Sequence, residues 1–492
     1  MNFLDKFIGT FSPRSAYERM VWREAMRSYD AGSNDRLNGG WTQVNATAEQ
    51  TDRYQRDTIR ARGRDLERNS DIVESVISPF ERNVIGTGIM AQAKVLKDDG
   101  SEDENLNRQI EELWKEWCMA KNCDVTGQQC FDEFQAMAVR RLKVDGGIFF
   151  IKVYTKDGIL PFKLQAKEVD ELDTSYSLIS CEKGNRIVDG IELNSYNKPV
   201  AYYFKQYTPD GFYTGKTERI EAQRVIFLWR KKRPSQIREV SELANTLPRV
   251  KEVNEFVEAV SVKERILACL SVFITKQTPN LPVGRGNVDK KSGYQVRTIS
   301  PGMIQELNPG DKVETVNPSG QASNAREFIM SQQRMAGAGQ GLSYEVTSRD
   351  MSQVNYSSAR QNYLEDQKTY QMMQKFIIDH FCREVYTEFV ISAVLKGELL
   401  IKDFWENKRK YLRHEWITPG WSWIDPLKET NANVTGMNAG FNTLKDICGA
   451  QGKDWKDVLA QRKKEQEYAD ELGLKLTTTV NQEGDEKDEE KT

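Results

Sequence analysis

The feature that most constrains this 492-residue chain is the run from 248 to about 274, opened by Pro248. Its apolar residues Val250, Val253, Phe256, Val257, Val260, Ile266, Leu267 and Leu270 recur near helical spacing. At 1.5 Å per residue such a helix would be roughly 40 Å long, too long for a compact core and suited to a spanning element. The segment 277–324 that follows carries Pro, Gly and short β-like runs at 294–299 and 302–307, and a second helical pattern returns at 325–335. Helix, small lobe, helix predicts a projecting hairpin capped by its own lobe. Gly337, Gly339 and Gly341 are expected to break the second helix. A polar loop at 343–355 then leads into a long helix from Ser357 to about Lys396. Thr347, Ser348, Ser352 and Gln353 make that loop small and polar, with Glu345, Arg349 and Asp350 its charged residues. Loops of this kind carry function more often than packing.

The stretch 46–83 reads as helix with charge on every face. Arg53, Arg56, Arg60, Arg62, Arg64 and Arg68 resemble a nucleic-acid stripe but are interleaved with Asp52, Asp57, Asp65 and Glu67. A solvated or subunit-contacting face, paired by i,i+4 ions, is the expectation. From Ile148 the period changes to two: Ile148-Phe149-Phe150-Ile151-Lys152-Val153-Tyr154, a turn at Asp157-Gly158 and the run 160–164 predict a hairpin. Further strands are expected at 187–193, 200–207 and 224–229, which makes the chain α+β. Near the end, 416–426 is aromatic, 427–473 is helical, and the acidic, apolar-poor 477–492 is expected to be disordered.

Enzymatic chemistry finds little support. A formal charge of −3 argues against tight DNA gripping, because phosphate affinity comes from clustered Lys and Arg; a channel that lets DNA slide is not excluded. His380 and His414 are the two histidines, which leaves few ways to build a nucleophile triad. The seven cysteines are odd in number and irregular in spacing, and Cys118, Cys123 and Cys130 lack the tight spacing of a zinc knuckle. Gly86-Thr87-Gly88-Ile89-Met90-Ala91 has dinucleotide-fingerprint glycines, but in a helix-then-strand context instead of strand-then-helix. In the segment 286–292, Lys290 stands where a phosphate loop needs glycine. Glu168, Asp170, Glu171 and Asp173 form an acidic cluster with the composition of a Mg²⁺ site, although such clusters are usually solvated loops. No catalytic residue, metal or cofactor is assigned. Without an 18-residue apolar window or a secretion-type start, no membrane is expected and folding is placed in a cytoplasm.

Several stretches together resemble the lambda family of phage portal proteins, over about 29–474. They are Leu66-Glu67-Arg68-Asn69, Asn83-Val84-Ile85-Gly86-Thr87-Gly88-Ile89, Asp145-Gly146-Gly147, Gly190-Ile191-Glu192, Pro199-Val200-Ala201-Tyr202-Tyr203 and Arg233-Pro234-Ser235-Gln236-Ile237-Arg238. The most specific is Leu342-Ser343-Tyr344-Glu345, then Asp350, then Val354-Asn355-Tyr356-Ser357-Ser358-Ala359-Arg360. The resemblance implies an α+β portal fold with an N-terminal arm (1–45), a mixed wing (46–247), stem helices (248–276 and 325–341) and a clip between them (277–324). It further implies a tunnel loop (342–356), a long helix and wing/crown junction (357–415), a helical crown (416–476) and the acidic tail (477–492).

By the same resemblance the chain is one subunit of a ring, usually of twelve, at one capsid vertex of the virion, assembled in the host cytoplasm. Its implied partners are the large terminase subunit, the major capsid protein and scaffold, head-tail adaptor proteins, and double-stranded DNA passing without sequence specificity. Ser348, Arg349, Ser352 and Gln353 are the implied DNA-facing residues. Arg285, Lys290, Lys291 and Tyr294 are placed at the terminase and adaptor contact by position alone. Asn355, Tyr356 and Arg360 are read as a capped helix start with subunit packing. A metal-dependent DNA-processing enzyme using Glu168 and Glu171, and a capsid adaptor without a channel, remain the alternatives.

Overall fold

The computed structural model describes residues 12–15, 45–181, 184–208, 210–268, 272–276, 311–315, 325–421 and 426–474. The chain divides into a small unit, 1–54, and a large one, 55–492. In the small unit a short helix, Ala48–Asp52, starts at Thr47, whose backbone N–H donates to the Gln50 side chain at 3.2 Å.

Helices α1 (Arg56–Asn69) and α2 (Asp71–Phe80) are separated at Ser70, and a π-turn (Glu81–Ile85) leads to strand β1 (Met90–Ala93). The sequence-predicted single helix is thus broken in three places. Helices α3 (Glu104–Trp117) and α4 (Phe131–Val144) follow, then the antiparallel hairpin of β2 (Gly147–Tyr154) and β3 (Phe162–Lys167). A second sheet runs β4 (Arg186–Val188), β5 (Ile191–Leu193), β6 (Pro199–Tyr207) and β7 (Tyr213–Glu221), and β8 (Val225–Trp229) returns to pair with β2. The expected strand over 187–193 is folded in two by a turn at Asp189-Gly190. Sequence reading missed β7 because its residues are largely solvent-exposed and polar, so no apolar alternation marks it.

Strand β2 is the spine of the core. Its unbroken apolar run is explained by burial on both faces. Phe150 stacks on Phe381 at 4.3 Å between centroids, within a cluster that holds Trp114, Trp117, Phe131 and Phe389. Phe149, on the other face, stacks on Phe227 at 4.0 Å and meets Phe204 edge-on at 5.0 Å. The Trp117 indole N–H donates to the Phe162 carbonyl at 2.9 Å, so the largest core side chain has its one donor satisfied. Gly146, just before β2, has φ +88°, and a Cβ there would lie 2.5 Å from the Val240 carbonyl carbon. The Asp145-Gly146-Gly147 motif therefore marks a place where two backbones touch.

The arginines of α1 correct the sequence expectation. Arg62 and Arg68 are exposed, but Arg56 and Arg60 are buried and Arg64 is half-buried, all on one helix face. Arg60 pairs with the fully buried Glu239 (3.1 Å) and with Asp170 (2.6 Å). Arg64 pairs with buried Asp145 (2.7 Å), Asp170 (2.7 Å) and Glu168 (3.2 Å). Arg56 donates to the Glu239 carbonyl at 2.8 Å and lies 3.5 Å from Asp189 in the β4–β5 turn. The Arg60–Asp57 pair is local on the helix. A helix packed this tightly, with Gly63 against Val144, cannot present that face to solvent, so its cations reach partners 80 to 180 residues away.

The long helix α5 spans Leu247–Ala268, shorter than expected, and the run Val272–Lys276 is strand β9. Val272, Phe273, Ile274 and Thr275 are β-branched or aromatic and favour extended backbone, which the helical reading of this apolar run overrode. β9 pairs antiparallel with β10 (Asp311–Thr315). The expected strands at 294–299 and 302–307 lie outside the described residues, as does 477–492. Helix α6 (Ala325–Gly339) continues through Gly337 and ends at Gly339, ahead of the left-handed Gly341 at φ +74°, so the expected glycine break falls at its end. The long helix is two, α7 (Tyr356–Ile377) and α8 (Arg383–Lys396), joined by a π-turn (Ile378–Cys382) that carries Phe381 into the core. Strand β11 (His414–Ile417) pairs with β1, and helices α9 (Pro426–Asn438), α10 (Leu444–Ala450) and α11 (Trp455–Glu471) end the described chain. Among the described residues no helix is long and apolar enough to cross a membrane.

Removing one partner from a buried ion cluster leaves charge uncompensated, at a cost of about 3–5 kcal/mol. Glu239→Gln should therefore shift the urea unfolding midpoint strongly, whereas Asp57→Asn, an exposed partner, should cost no more than about 1 kcal/mol. Equal shifts for the two variants would show that the cluster does not hold the fold.

Candidate functional site

The loop singled out by its polarity begins where α6 ends. Gly337 is buried within that helix, and a Cβ there would meet the Leu342 carbonyl oxygen at 3.2 Å and Thr347 at 3.3 Å, so the returning chain lies directly on the helix. Gln340, also buried, donates to the Glu242 carbonyl (3.0 Å) and the Thr246 hydroxyl (3.1 Å). Beside it the buried Lys143 pairs with Glu242 at 2.8 Å and sits 3.7 Å from the centre of the Phe80 ring. Burial pushes the Lys143 ammonium down; at Glu242 burial acts upward, but the charge and hydrogen bond of Lys143 together with the Arg230 and Lys232 charges hold the carboxyl low. The loop's root is thereby anchored to the helical body through a satisfied buried pair.

Part of the expected loop is a short helical segment, Tyr344–Ser348. Its start is held by Asp366 of α7, which accepts from the Ser343 backbone N–H at 2.8 Å and the Ser343 hydroxyl at 2.6 Å. Burial pushes the Asp366 carboxyl up, against the pull of those two bonds. One turn either side, Asn362 donates to Glu345 (3.0 Å) and the Thr369 hydroxyl donates to the Gly341 carbonyl (2.9 Å). Three side chains on one face of α7, spaced by four and three residues, thus clamp the segment.

The four sequence-predicted loop residues occupy different situations. The Ser348 hydroxyl donates to the Tyr344 carbonyl at 2.8 Å and accepts from the Asp350 N–H at 3.1 Å, so it shapes the loop. Arg349 is exposed and adopts a left-handed backbone, φ +57° and ψ +20°, where an L side chain other than Asn or Asp costs about 1–2 kcal/mol. Ser352 and Gln353 are exposed beyond it, and the Ser352 N–H donates to Asp350 at 2.9 Å. Hydrogen bonds from Ser352, aided by the Arg326 charge, hold the Asp350 carboxyl below its ordinary range. Asn355 accepts from the Ser358 N–H at 2.9 Å and caps α7, as read from sequence. Arg285, Lys290, Lys291 and Tyr294 lie outside the described residues. The supports Asp366, Asn362, Thr369 and Gln340 were missed, because a polar residue on a long helix carries no local sign that its partner lies far along the chain.

The rejected chemistries have structural counterparts. Glu168 and Asp170 face Arg64, Glu171 pairs with Lys167, and Asp173 accepts from the hydroxyls of Ser175 and Thr217. Cys118, Cys123 and Cys130 are free thiols. Among the described residues no group of three or more His, Cys, Asp or Glu is arranged to hold a metal.

The family model for the phage portal protein, lambda family, matches residues 34–374. A probable portal protein of Halomonas phage phiHAP-1 is 28% identical over 445 residues, covering 88% of this chain and 85% of that protein. Portal protein B of Escherichia phage lambda is 21% identical over 453 residues, 84% of each. Among solved structures, a chain of the virion of a native gene transfer agent particle aligns over 86% of this chain and 94% of its own, at 12% identity and a TM-score of 0.43. An HK97 family phage portal protein from Corynebacterium diphtheriae aligns over 74% of this chain and 97% of its own, at 12% identity and a TM-score of 0.32. The family match runs through the sheets, both hairpin helices, the clamped loop and most of α7, and on that ground the chain belongs to the lambda family of phage portal proteins.

Proposed function

We propose that the chain is one subunit of a ring, twelve in number, at a single capsid vertex, and that DNA passes through the ring during packaging and ejection. Family membership supports the ring and the passage. The observation that carries the role of the loop is Arg349: a cation exposed at its tip, on a backbone that disfavours it. Ser352 and Gln353, exposed beside it, add uncharged polar groups. One cation per subunit, beside the ionised Asp350 and the neutral groups of Ser352 and Gln353, makes weak, sequence-blind contacts to phosphate, where a dense basic ring would hold the DNA in place.

The region between α5 and α6, with Arg285, Lys290, Lys291 and Tyr294, is proposed to dock the large terminase subunit and later the head-tail adaptor proteins. This reading rests on its position in the sequence, between α5 and α6. The major capsid protein and scaffold are proposed to contact the ring's outside, and assembly is placed in the host cytoplasm. The protein's role is that of a conduit with no catalytic residue of its own.

Purified protein should form rings visible by negative-stain electron microscopy, and a persistent monomer at micromolar concentration would count against the ring. Arg349→Glu should leave those rings intact while lowering packaged or retained DNA, scored by particle DNA content; if ring formation fails first, the loop is structural. Asp366→Ala frees the Ser343 clamp at a cost of about 1–3 kcal/mol and should raise tryptic cleavage after Arg349 about tenfold or more. Unchanged cleavage would mean that Asp366 does not hold the loop.

A further inference from the structure

The segment 400–413, between α8 and β11, carries five cations and two carboxylates. It is a tight knuckle built on Asp403, which accepts from the Tyr411 hydroxyl at 2.7 Å and from the Asn407 side chain at 2.8 Å, with Phe404 buried beneath. Lys402 and the short helical segment Lys408–Tyr411 therefore share one small surface. Lys410 pairs with Asp98 at 2.6 Å, but Lys402, Lys408, Arg409 and Arg413 have no carboxylate partner among the described residues. Glu406 is the one carboxylate of the segment that is also without a partner there. Elsewhere the chain's cations are extensively paired, as in α1 and α4, so this concentration of uncompensated charge stands out in a protein of net charge −3.

The complementary charge lies in the same sequence. Residues 483–490 contain Glu483, Asp485, Glu486, Asp488, Glu489 and Glu490 against Lys487 alone. Geometry brings the two within reach. Lys456, in the first turn of α11, pairs with Glu102; Glu102 also pairs with Lys94 at 3.5 Å; and the Lys94 N–H donates to the Arg413 carbonyl at 2.9 Å. The base of α11 thus sits beside the knuckle. The helix is about 25 Å long, and the sixteen residues 475–490 can span up to about 55 Å when extended, so the acidic run reaches back to Arg413 with slack.

We propose that the acidic run 483–490 docks on the Lys402, Lys408, Arg409 and Arg413 knuckle of its own chain and shields it from other polyanions. The match is of charge and requires no fixed hydrogen-bond geometry, so it weakens with salt. Shielding keeps phosphates off a surface that lies outside the polar loop. This inference does not depend on the role proposed for the loop.

The test uses the full-length protein. Carbodiimide treatment, which joins a carboxylate to a lysine in direct contact, followed by mass spectrometry should link Lys402 or Lys408 to carboxylates of 483–490 within one chain. Raising the salt from low to physiological or above should cut the yield about tenfold. Links spread evenly over surface lysines, or found only between isotopically distinct copies, overturn the proposal. A second measurement avoids variants of the folded body: neutralising the six acids to Gln or Asn should tighten binding of a short DNA duplex about tenfold at low salt. Additionally replacing the four cations with Gln should abolish that gain. Equal duplex binding by the wild type and the tail variant also overturns it.

Discussion

Three arginines on one face of α1 hold the large unit together. Arg56, Arg60 and Arg64 join the helix to the β4–β5 turn through Asp189, to the loop before α5 through Glu239, to the end of α4 through Asp145 and to the short turn after β3 through Asp170. Charges this far from water are tolerated when each meets opposite charge and donors are satisfied, so the four elements must assume one arrangement to stabilise any of the arginines. A second cluster extends the same logic, with Arg140 of α4 reaching Glu67, Glu74 and Glu81, which recur about every two turns along the leading helices. The apolar core around β2 supplies most of the burial, while the ion pairs select the relative orientation of the elements that enclose it.

That fixed body positions the loop. Gln340 and the Lys143–Glu242 pair tie the end of α6 to the body, and Asp366, Asn362 and Thr369 tie the loop's helical segment to α7. What remains exposed at the tip is short: Arg349, Met351, Ser352 and Gln353. A loop anchored at both ends presents the same few groups repeatedly, which is what the proposed contact with passing DNA requires. Arg349's left-handed backbone belongs to this picture, since the clamped segment ends where the chain must reverse.

Much of the architecture was legible in the amino acids. The apolar run of β2 and the Asp157-Gly158 turn predicted the hairpin, and Asn355 predicted the start of α7. Local signals were misleading where tertiary contacts overrode them. Gly337 read as a helix breaker, yet the helix passes through it and ends only at Gly339, with Gly337 admitting the returning chain at contact distance. The 248–274 run read as one helix because apolar spacing alone does not separate a helix from the strand that replaces its last turn. The α1 arginines read as surface because their partners are far away in sequence.

By itself the sequence determined the element types wherever periodicity was strong, the polar character of the loop and, through motifs held in order along the chain, the family. Those properties depend on residues close together in the chain or on patterns that survive without three-dimensional context. Only the tertiary structure decided which charges are buried, which side chains clamp the loop and which cations of the knuckle lack a carboxylate partner among the described residues. Each of these depends on pairs of residues tens to hundreds of positions apart, and their proximity is created by packing that no local propensity encodes.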